Sequence, residues 1–238
     1  MRRARGGDPG NLWIAAHEQT RGRGRQGRAW LSPKGNLAAS LLLIDPAPMA
    51  CAPQLGFVAG VALARTVRGL GVSARRTGLK WPNDLVVEGA KLSGLLLEAA
   101  HMPGGHLACV IGFGVNICAH PEGLPYPATS LAEMGIETTA EALLSLLAEN
   151  MAFWLDRWQC GAEFDRIRVA WLELAAGRDR KIRIVSAGRE LEGIFRGIDA
   201  AGQLILETKN GRETIAAGDV YLRGIERPEK RVMDVNGQ

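Results

Sequence analysis

Two apolar runs, residues 92–99 and 107–115, constrain the fold of this chain more than any other feature. Neither run alternates between apolar and polar residues, as a strand with one face in water would. Both are therefore predicted to be central strands of a sheet. The other segments predicted to be strands of the larger part of the chain are 12–17 and 37–43, both expected to be buried, together with 79–81 and 84–88.

Helical spacing of apolar residues predicts helices beside this sheet. The first begins after Pro53 and ends near Gly69. A capping box of Thr138 and Glu141 opens the second, and a third is expected at 162–176. The predicted core stripe of the second helix is Leu143, Leu147, Met151, Trp154, Leu155 and Trp158. The predicted fold class is α+β, with a mixed central sheet flanked by helices.

The pattern changes after Gly177 to short strands separated by glycine-containing turns. Such a pattern predicts a small β-barrel. With about 45 residues the barrel would be marginally stable alone, so we expect it to pack on the larger domain. The predicted strands are 181–186, 189–197, 203–208, 212–216 and 219–223.

The composition excludes several classes of protein. Hydrophobic residues make up 47% of the chain and charged residues 23%, which is typical of a globular protein. The chain has no apolar run of about 18 residues and no apolar segment behind its basic N-terminus, so we expect a cytoplasmic protein without a membrane span. The cysteines and histidines show neither CxxC nor HxxxH spacing, so neither a disulfide nor a zinc site is predicted.

The segment 21-RGRGRQGR-28 concentrates four arginines and three glycines in eight residues. Its glycines predict a loop joining two core strands. Residues 1–30 carry seven arginines and only two acidic residues, so the basicity of the chain is local. Two interpretations remain open for this segment alone: a solvated or RNA-contacting loop, and a site for a compact anion such as phosphate.

A second cluster is 80-KWPND-84. Pro82 would fix a turn, and Trp81 would give a flat apolar wall beside Asn83 and Asp84. Asp84 is a candidate magnesium ligand. Taken alone, the pentapeptide also fits a surface turn that Asp84 caps.

Two further features lie on the central strands. Lys91 begins an apolar strand and is the only cation among core-type residues there, so it would either extend its ammonium to water or point it at phosphate or carboxylate. The sequence 112-GFGVN-116 ends the next strand, where its glycines allow either a turn or the close approach of a nucleotide.

Together these motifs resemble the catalytic domain of biotin protein ligases, a fold similar to that of class II synthetases followed by an SH3-like β-barrel. The resemblance implies formation of biotinyl-5′-AMP from biotin and ATP with magnesium, then transfer of biotin to a lysine of a biotin carboxyl carrier domain of acetyl-CoA carboxylase or another carboxylase. The segments that carry it are GRGRQGRAW at 22–30, SPKGN at 32–36, KWPNDL at 80–85, GAKLSGLLLE at 89–98, GFGVN at 112–116, TSL at 129–131, GIDAAGQL at 197–204 and GDVYLR at 218–223.

The resemblance also assigns roles to individual residues. It implies that Lys91 and Arg25 are catalytic and that Asp84 holds magnesium. The biotin-binding residues would be Gln19, Gly22, Arg23, Lys91 and Gly94. The residues implied to bind ATP or the adenylate are Arg23, Gly24, Arg25, Arg28, Trp30, Lys80, Trp81, Asn83, Asp84 and Asn116.

The sequence departs from the family in two respects. Members begin this domain with a strand carrying Ser-Thr-Asn and a helix, whereas here only a helix remnant precedes the strand at 12–17. We expect a start assigned too late; the alternative is a truncated homologue that binds biotin or biotinyl-AMP with little or no transfer activity. Arg21 replaces the small residue usual before Gly-Arg-Gly. The expected domains are a catalytic domain at 1–177, a barrel at 178–226 and a tail at 227–238.

Other functions are less well supported by the sequence. Lipoyl ligases and octanoyltransferases share the architecture, but their signatures do not combine GRGRxGR with KWPND. No helix-turn-helix pattern is present, so DNA binding is not expected. A homodimer is compatible with the exposed strand edges of this family.

Overall fold

A computed structural model describes residues 1–222 of the chain. Its helices and strands, in chain order, are α1 (Arg2–Arg5), β1 (Leu12–Ala16), β2 (Gln19–Arg23), β3 (Ala29–Ser32), β4 (Leu37–Ile44), α2 (Gln54–Gly69), β5 (Thr77–Lys80), β6 (Asp84–Val87), β7 (Ala90–His101), β8 (Leu107–Val115), α3 (Ala140–Trp158), α4 (Phe164–Leu174), β9 (Lys181–Ser186), β10 (Arg189–Ile198), β11 (Leu204–Thr208), β12 (Gly211–Ile215) and β13 (Asp219–Leu222).

Six strands form the large sheet, in the order β1-β4-β8-β7-β6-β5. The two long apolar strands, β7 and β8, lie at its centre and pair antiparallel, as predicted. The prediction of a buried strand at 12–17 is correct about the strand and wrong about its burial. Strand β1 forms there, but it is an edge strand with one neighbouring strand, and Ile14, Ala15 and Ala16 are exposed.

Three helices, α2, α3 and α4, pack against the large sheet and share the main apolar core with its strands. Helix α2 is the most deeply buried, since its apolar residues cover more than one face, including Leu55, Val58 and Leu63. Helices α3 and α4 pack against α2. The N-cap of α3 is Thr139, whose side chain accepts a hydrogen bond from the Ala142 amide, so the prediction of Thr138 was wrong by one residue.

The basic segment is a hairpin rather than the loop that was predicted. Strands β2 and β3 pair antiparallel, with Gly22 opposite Trp30, and the turn between them is a short 3₁₀ helix. A methyl group on Gly22 would lie 2.3 Å from the Trp30 carbonyl oxygen, so glycine permits the close pairing here instead of preventing a strand. The register shifts between Gln19 and Gly22, in the segment that contains Arg21.

Strands β9 to β13 form a separate five-stranded antiparallel sheet, in the order β12-β11-β10-β9-β13. All five predicted strands are present, and the α+β class with a small C-terminal sheet domain of SH3-like character is confirmed. The two parts share one apolar core. At their junction the Trp171 and Phe195 rings lie 6.5 Å apart, and the Trp81 indole N–H donates to the Gly202 carbonyl at 3.0 Å.

The expected tail at 227–238 lies outside the described residues, and the expected domain limits stay a prediction. Within residues 1–222, none of the helices combines the length and the apolar character needed to cross a bilayer.

Candidate active site

A cavity of about 390 Å³ lies between the basic hairpin, the start of β7 and the last strand of the small sheet. It is large enough for a small-molecule substrate. Thirteen of the fourteen residues to which the resemblance assigns a role in the site line it: Gln19, Gly22, Arg23, Gly24, Arg25, Arg28, Trp30, Lys80, Trp81, Asn83, Asp84, Lys91 and Gly94.

Lys91 points into this cavity, and its side chain is only 18% exposed. Its ammonium nitrogen lies 2.7 Å from Asp84 Oδ1. The second carboxylate oxygen of Asp84 lies 3.9 Å from the Lys80 ammonium. The Lys91 side chain therefore does not extend to open water. Its charge is compensated by the nearly buried carboxylate of Asp84.

Two aromatic rings flank the Lys91 ammonium. The ring centroids of Trp30 and Tyr126 each lie 5.5 Å from Lys91 Nζ, within the range of a cation–π interaction. Sequence reasoning missed Tyr126. The signal that could have found it is Pro125-Tyr126-Pro127, since prolines on both sides fix the backbone that presents the ring.

Glycines make room for Trp30 against the central strands. A methyl group on Gly114 would lie 2.4 Å from the Trp30 ring, and one on Gly94 would lie 3.2 Å from it. The ring therefore rests where any larger residue at these positions would collide with it. Within 112-GFGVN-116, Gly114 thus permits the close approach of the Trp30 ring, and the expected approach of a nucleotide to this motif stays a prediction.

The arginines of the hairpin are fixed at the rim of the cavity. Arg25 donates to Asn83 Oδ1 at 3.2 Å and to the Gly218 carbonyl at 3.3 Å. Arg28 forms an ion pair with Asp219. The hairpin is thus connected both to the large sheet and to the small one.

Asp219 is a further charged residue of the site that the sequence did not reveal. Desolvation would raise its pKa, but the hydrogen bond and charge of Arg28, with smaller contributions from Arg25, lower that pKa below its usual value. The same hydrogen bond raises the pKa of Arg28. The pair is therefore fully ionised near neutral pH.

Trp81 does not form the open apolar wall that was expected. Its side chain is 2% exposed, and its indole N–H is bound to the Gly202 carbonyl. Most of the ring therefore lies in the junction between the two parts of the chain. Its implied contact with the adenylate stays a prediction.

Asn116 is the one predicted site residue that does not line the cavity. It is 2% exposed and lies behind Lys91, where its amide nitrogen donates to the Thr129 carbonyl at 3.1 Å. Among the described residues, its Oδ1 atom has no hydrogen-bond partner. A buried acceptor without a donor is costly to leave in that state.

Comparison with known proteins agrees with the motifs. Residues 8–116 match the Biotin/lipoate A/B protein ligase family, and residues 179–223 match the Biotin protein ligase C terminal domain. The biotin–[acetyl-CoA-carboxylase] ligase of Paracoccus denitrificans is 38% identical over 224 residues, which cover 90% of this chain and 92% of that protein. The enzyme of the same name from Mycobacterium tuberculosis is 32% identical over 92% of this chain and 82% of its own length.

A solved structure shows the same architecture. The biotin protein ligase from Aquifex aeolicus in complex with biotin and ATP superposes with a TM-score of 0.76 and 26% sequence identity, covering 89% of this chain and 88% of that one. The comparisons favour a ligase over the truncated binding homologue, and the resemblance drawn from the motifs is confirmed. The chain belongs to the biotin protein ligase family.

Proposed function

We propose that this ligase forms biotinyl-5′-AMP from biotin and ATP and then transfers the biotinyl group to a lysine of a carrier domain. The observation that carries the proposal is the cavity in which Lys91, held by Asp84, faces the arginine hairpin. The first step brings the biotin carboxylate to the α-phosphate of ATP, and these two anions repel each other. Cations arranged in advance around a partly closed cavity reduce that repulsion most in the transition state.

In the first step a carboxylate oxygen of biotin attacks the α-phosphorus. The new O–P bond forms as the bond to the bridging oxygen breaks, and pyrophosphate leaves with that electron pair. Lys91 is the residue proposed to stabilise the negative charge shared between the carboxylate and the phosphate. Asp84 keeps the ammonium on the cavity side, because the two groups are only 2.7 Å apart.

The hairpin is proposed to cover the reactive intermediate. Arg25 and Arg28 are fixed to Asn83 and Asp219, so their guanidinium groups stay close to the cavity. Guanidinium groups bind phosphate through several planar N–H donors. A closed hairpin would also exclude water, which hydrolyses an acyl phosphate.

In the second step the amine of the acceptor lysine attacks the acyl carbon. An amide bond forms, the bond to the phosphate oxygen breaks, AMP leaves and the amine loses a proton. We propose that the acceptor belongs to the biotin carboxyl carrier domain of acetyl-CoA carboxylase or another biotin-dependent carboxylase. The name of the Paracoccus denitrificans relative supports this choice.

Asn116 is proposed as the contact to the adenine. Its buried Oδ1 lacks a donor among residues 1–222, and the amino group of adenine is a donor of suitable chemistry. Asn116 is 2% exposed and does not line the cavity, so this contact requires the backbone around Lys91 and Thr129 to move when the nucleotide binds.

A magnesium ion held by the protein alone does not fit this set of residues. Asp84 already faces the ammonium groups of Lys91 and Lys80, and the described residues contain no group of three or more His, Cys, Asp or Glu side chains able to hold a metal. The assignment of Asp84 as a magnesium ligand stays a prediction, and no step above depends on it. Magnesium bound mainly by the phosphates of ATP would need few protein ligands.

The test combines ATP–pyrophosphate exchange with intact-mass measurement of a carrier domain incubated with the protein, biotin, ATP and magnesium. The wild type should add one biotinyl group to the carrier domain. Lys91→Ala should lower exchange about a hundredfold, as expected for the loss of one charge placed in advance. Lys209→Ala removes an exposed lysine from the turn between β11 and β12 and is the matched control. Normal exchange by Lys91→Ala would contradict the proposal.

A further inference from the structure

The segment after β8 reaches back to the start of β7 and pairs with it. The Lys91 amide donates to the Pro127 carbonyl at 2.8 Å, and the Thr129 amide donates to the Lys91 carbonyl at 3.0 Å. Ala128 and Lys91 form a parallel bridge. The backbone of this segment is thus in register with Lys91 and holds the preceding residue, Tyr126, over its side chain.

The side chain of Tyr126 completes an enclosure around the Lys91 ammonium. The nitrogen lies 5.5 Å from the ring centroid of Tyr126, 5.5 Å from that of Trp30 and 2.7 Å from Asp84 Oδ1. The two rings come from different segments, Trp30 from the basic hairpin and Tyr126 from the chain that follows β8. Tyr126 is itself 38% exposed, whereas the Lys91 side chain is 18% exposed, so the ring is more accessible to solvent than the cation it contacts.

We propose that Tyr126 is a positioning residue for Lys91, and this inference rests on the function proposed above. A lysine side chain has four rotatable bonds, and its ammonium is strongly hydrated. The face of an aromatic ring attracts the cation while keeping water from it. Tyr126 therefore restricts the ammonium to the side of the cavity where the carboxylate and the phosphate meet.

In this role the aromatic ring of Tyr126 makes the contact with Lys91, and the hydroxyl group is not required. The variant Tyr126→Phe keeps the ring face and should retain adenylation within about twofold of the wild type. The variant Tyr126→Ala should lower kcat for biotinyl-AMP formation about 5- to 20-fold. A loss of this size is expected when a cation–π contact with a partly desolvated cation is removed. KM for biotin and for ATP should change much less, since the ring acts on Lys91.

The experiment measures kcat and KM of ATP–pyrophosphate exchange for the wild type, Tyr126→Phe and Tyr126→Ala. The control is Phe153→Ala, which removes another exposed aromatic ring that covers a cation, Arg157, on helix α3. It should have wild-type kinetics. Melting temperatures of all four proteins show whether each is folded, and the partial exposure of both rings makes unfolding an unexpected result.

A double-mutant cycle with Lys91→Ala tests the coupling directly. If Tyr126 acts through Lys91, Tyr126→Ala should cause no further loss in the Lys91→Ala background, measured by single-turnover formation of biotinyl-AMP. Three results would overturn the inference: equal losses in Tyr126→Phe and Tyr126→Ala, a rise in KM with unchanged kcat, or additive losses in the double variant. The proposed function fails on a different result, absence of biotinyl-AMP with the wild type.

Discussion

Gly114, on β8, permits the closest approach of the Trp30 ring to the sheet. The substitution Gly114→Ala would place a methyl group 2.4 Å from the indole ring, so the ring or the strand must move. We expect the free energy of unfolding to fall by about 1–3 kcal/mol, the usual cost of overpacking. Urea denaturation measures this difference.

Gly112→Ala is the matched control for that prediction. It lies two residues away on β8 and faces the same side, but its methyl group would meet the Leu96 carbonyl oxygen at an ordinary 3.5 Å. Its effect on the free energy of unfolding should stay within about 0.5 kcal/mol. Equal destabilisation by Gly112→Ala and Gly114→Ala would contradict the explanation based on Trp30.

At the level of structural elements, the connection between β8 and α3 is held by a charged contact. His120 Nε2 lies 2.8 Å from Glu133 Oε1, and His120 Nδ1 lies 3.0 Å from the Pro121 carbonyl. Both ring nitrogens face acceptors, which favours the protonated imidazolium. The contact joins residues on either side of Tyr126 in the chain, His120 before it and Glu133 after it.

This contact should make stability depend on pH in a defined direction. The hydrogen bond to the Pro121 carbonyl, together with Glu133, raises the pKa of His120. The stabilisation is therefore complete below about pH 6.5 while Glu133 is ionised, and it is lost as the pH rises through the raised pKa. His120→Gln should lower the melting temperature more at about pH 6 than at about pH 9.

His101→Gln, at the exposed end of β7, is the control for this pH dependence. It should lower the melting temperature by a similar small amount at both pH values. The explanation fails if the difference between the wild type and His120→Gln is independent of pH or grows as the pH rises.

The elements also show how far the sequence predicts the fold. The long apolar strands and the glycine turns after Gly177 were predicted correctly, because hydrophobic pattern and turn residues act over a few positions. The hairpin strand at Gln19–Arg23 was missed, because pairing with Trp30 outweighs the low strand preference of its glycines.

The site was predictable to the extent that its residues lie in recognisable motifs. Lys91, Asp84 and the arginines lie in such motifs, and all of them line one cavity. Asp219 could not be predicted in the same way, because its partner Arg28 is 191 residues away and the contact depends on how the small sheet docks. The contact of Tyr126 with Lys91 likewise depends on the path of an irregular segment.

For the whole molecule, the docking of the small sheet depends on Gly202. This residue has φ +78°, and a methyl group there would lie 2.5 Å from the Phe57 ring on α2. Gly202→Ala should therefore lower the free energy of unfolding through backbone strain, about 1 kcal/mol, and through collision at the junction, about 1–3 kcal/mol. Urea denaturation measures the sum.

Gly188→Ala separates these two contributions. Gly188 has a similar φ of +76° in another turn of the small sheet, but a methyl group there would have no atom within 4 Å. It should show only the backbone strain, so its effect should be clearly smaller. If Gly188→Ala and Gly202→Ala were equally destabilised, Gly202 would have no special role in docking.

The ion pair of Arg28 with Asp219 has a consequence for biosynthesis. Translation proceeds from the N-terminus, so the arginines leave the ribosome long before their acidic partner is made. A nascent chain cannot form this ion pair until codon 219 has been read, although Asn83, the partner of Arg25 in the hairpin, is made much earlier. Translation products that end before residue 219 would therefore contain Lys91 and the hairpin but lack the contact that ties the hairpin to the small sheet.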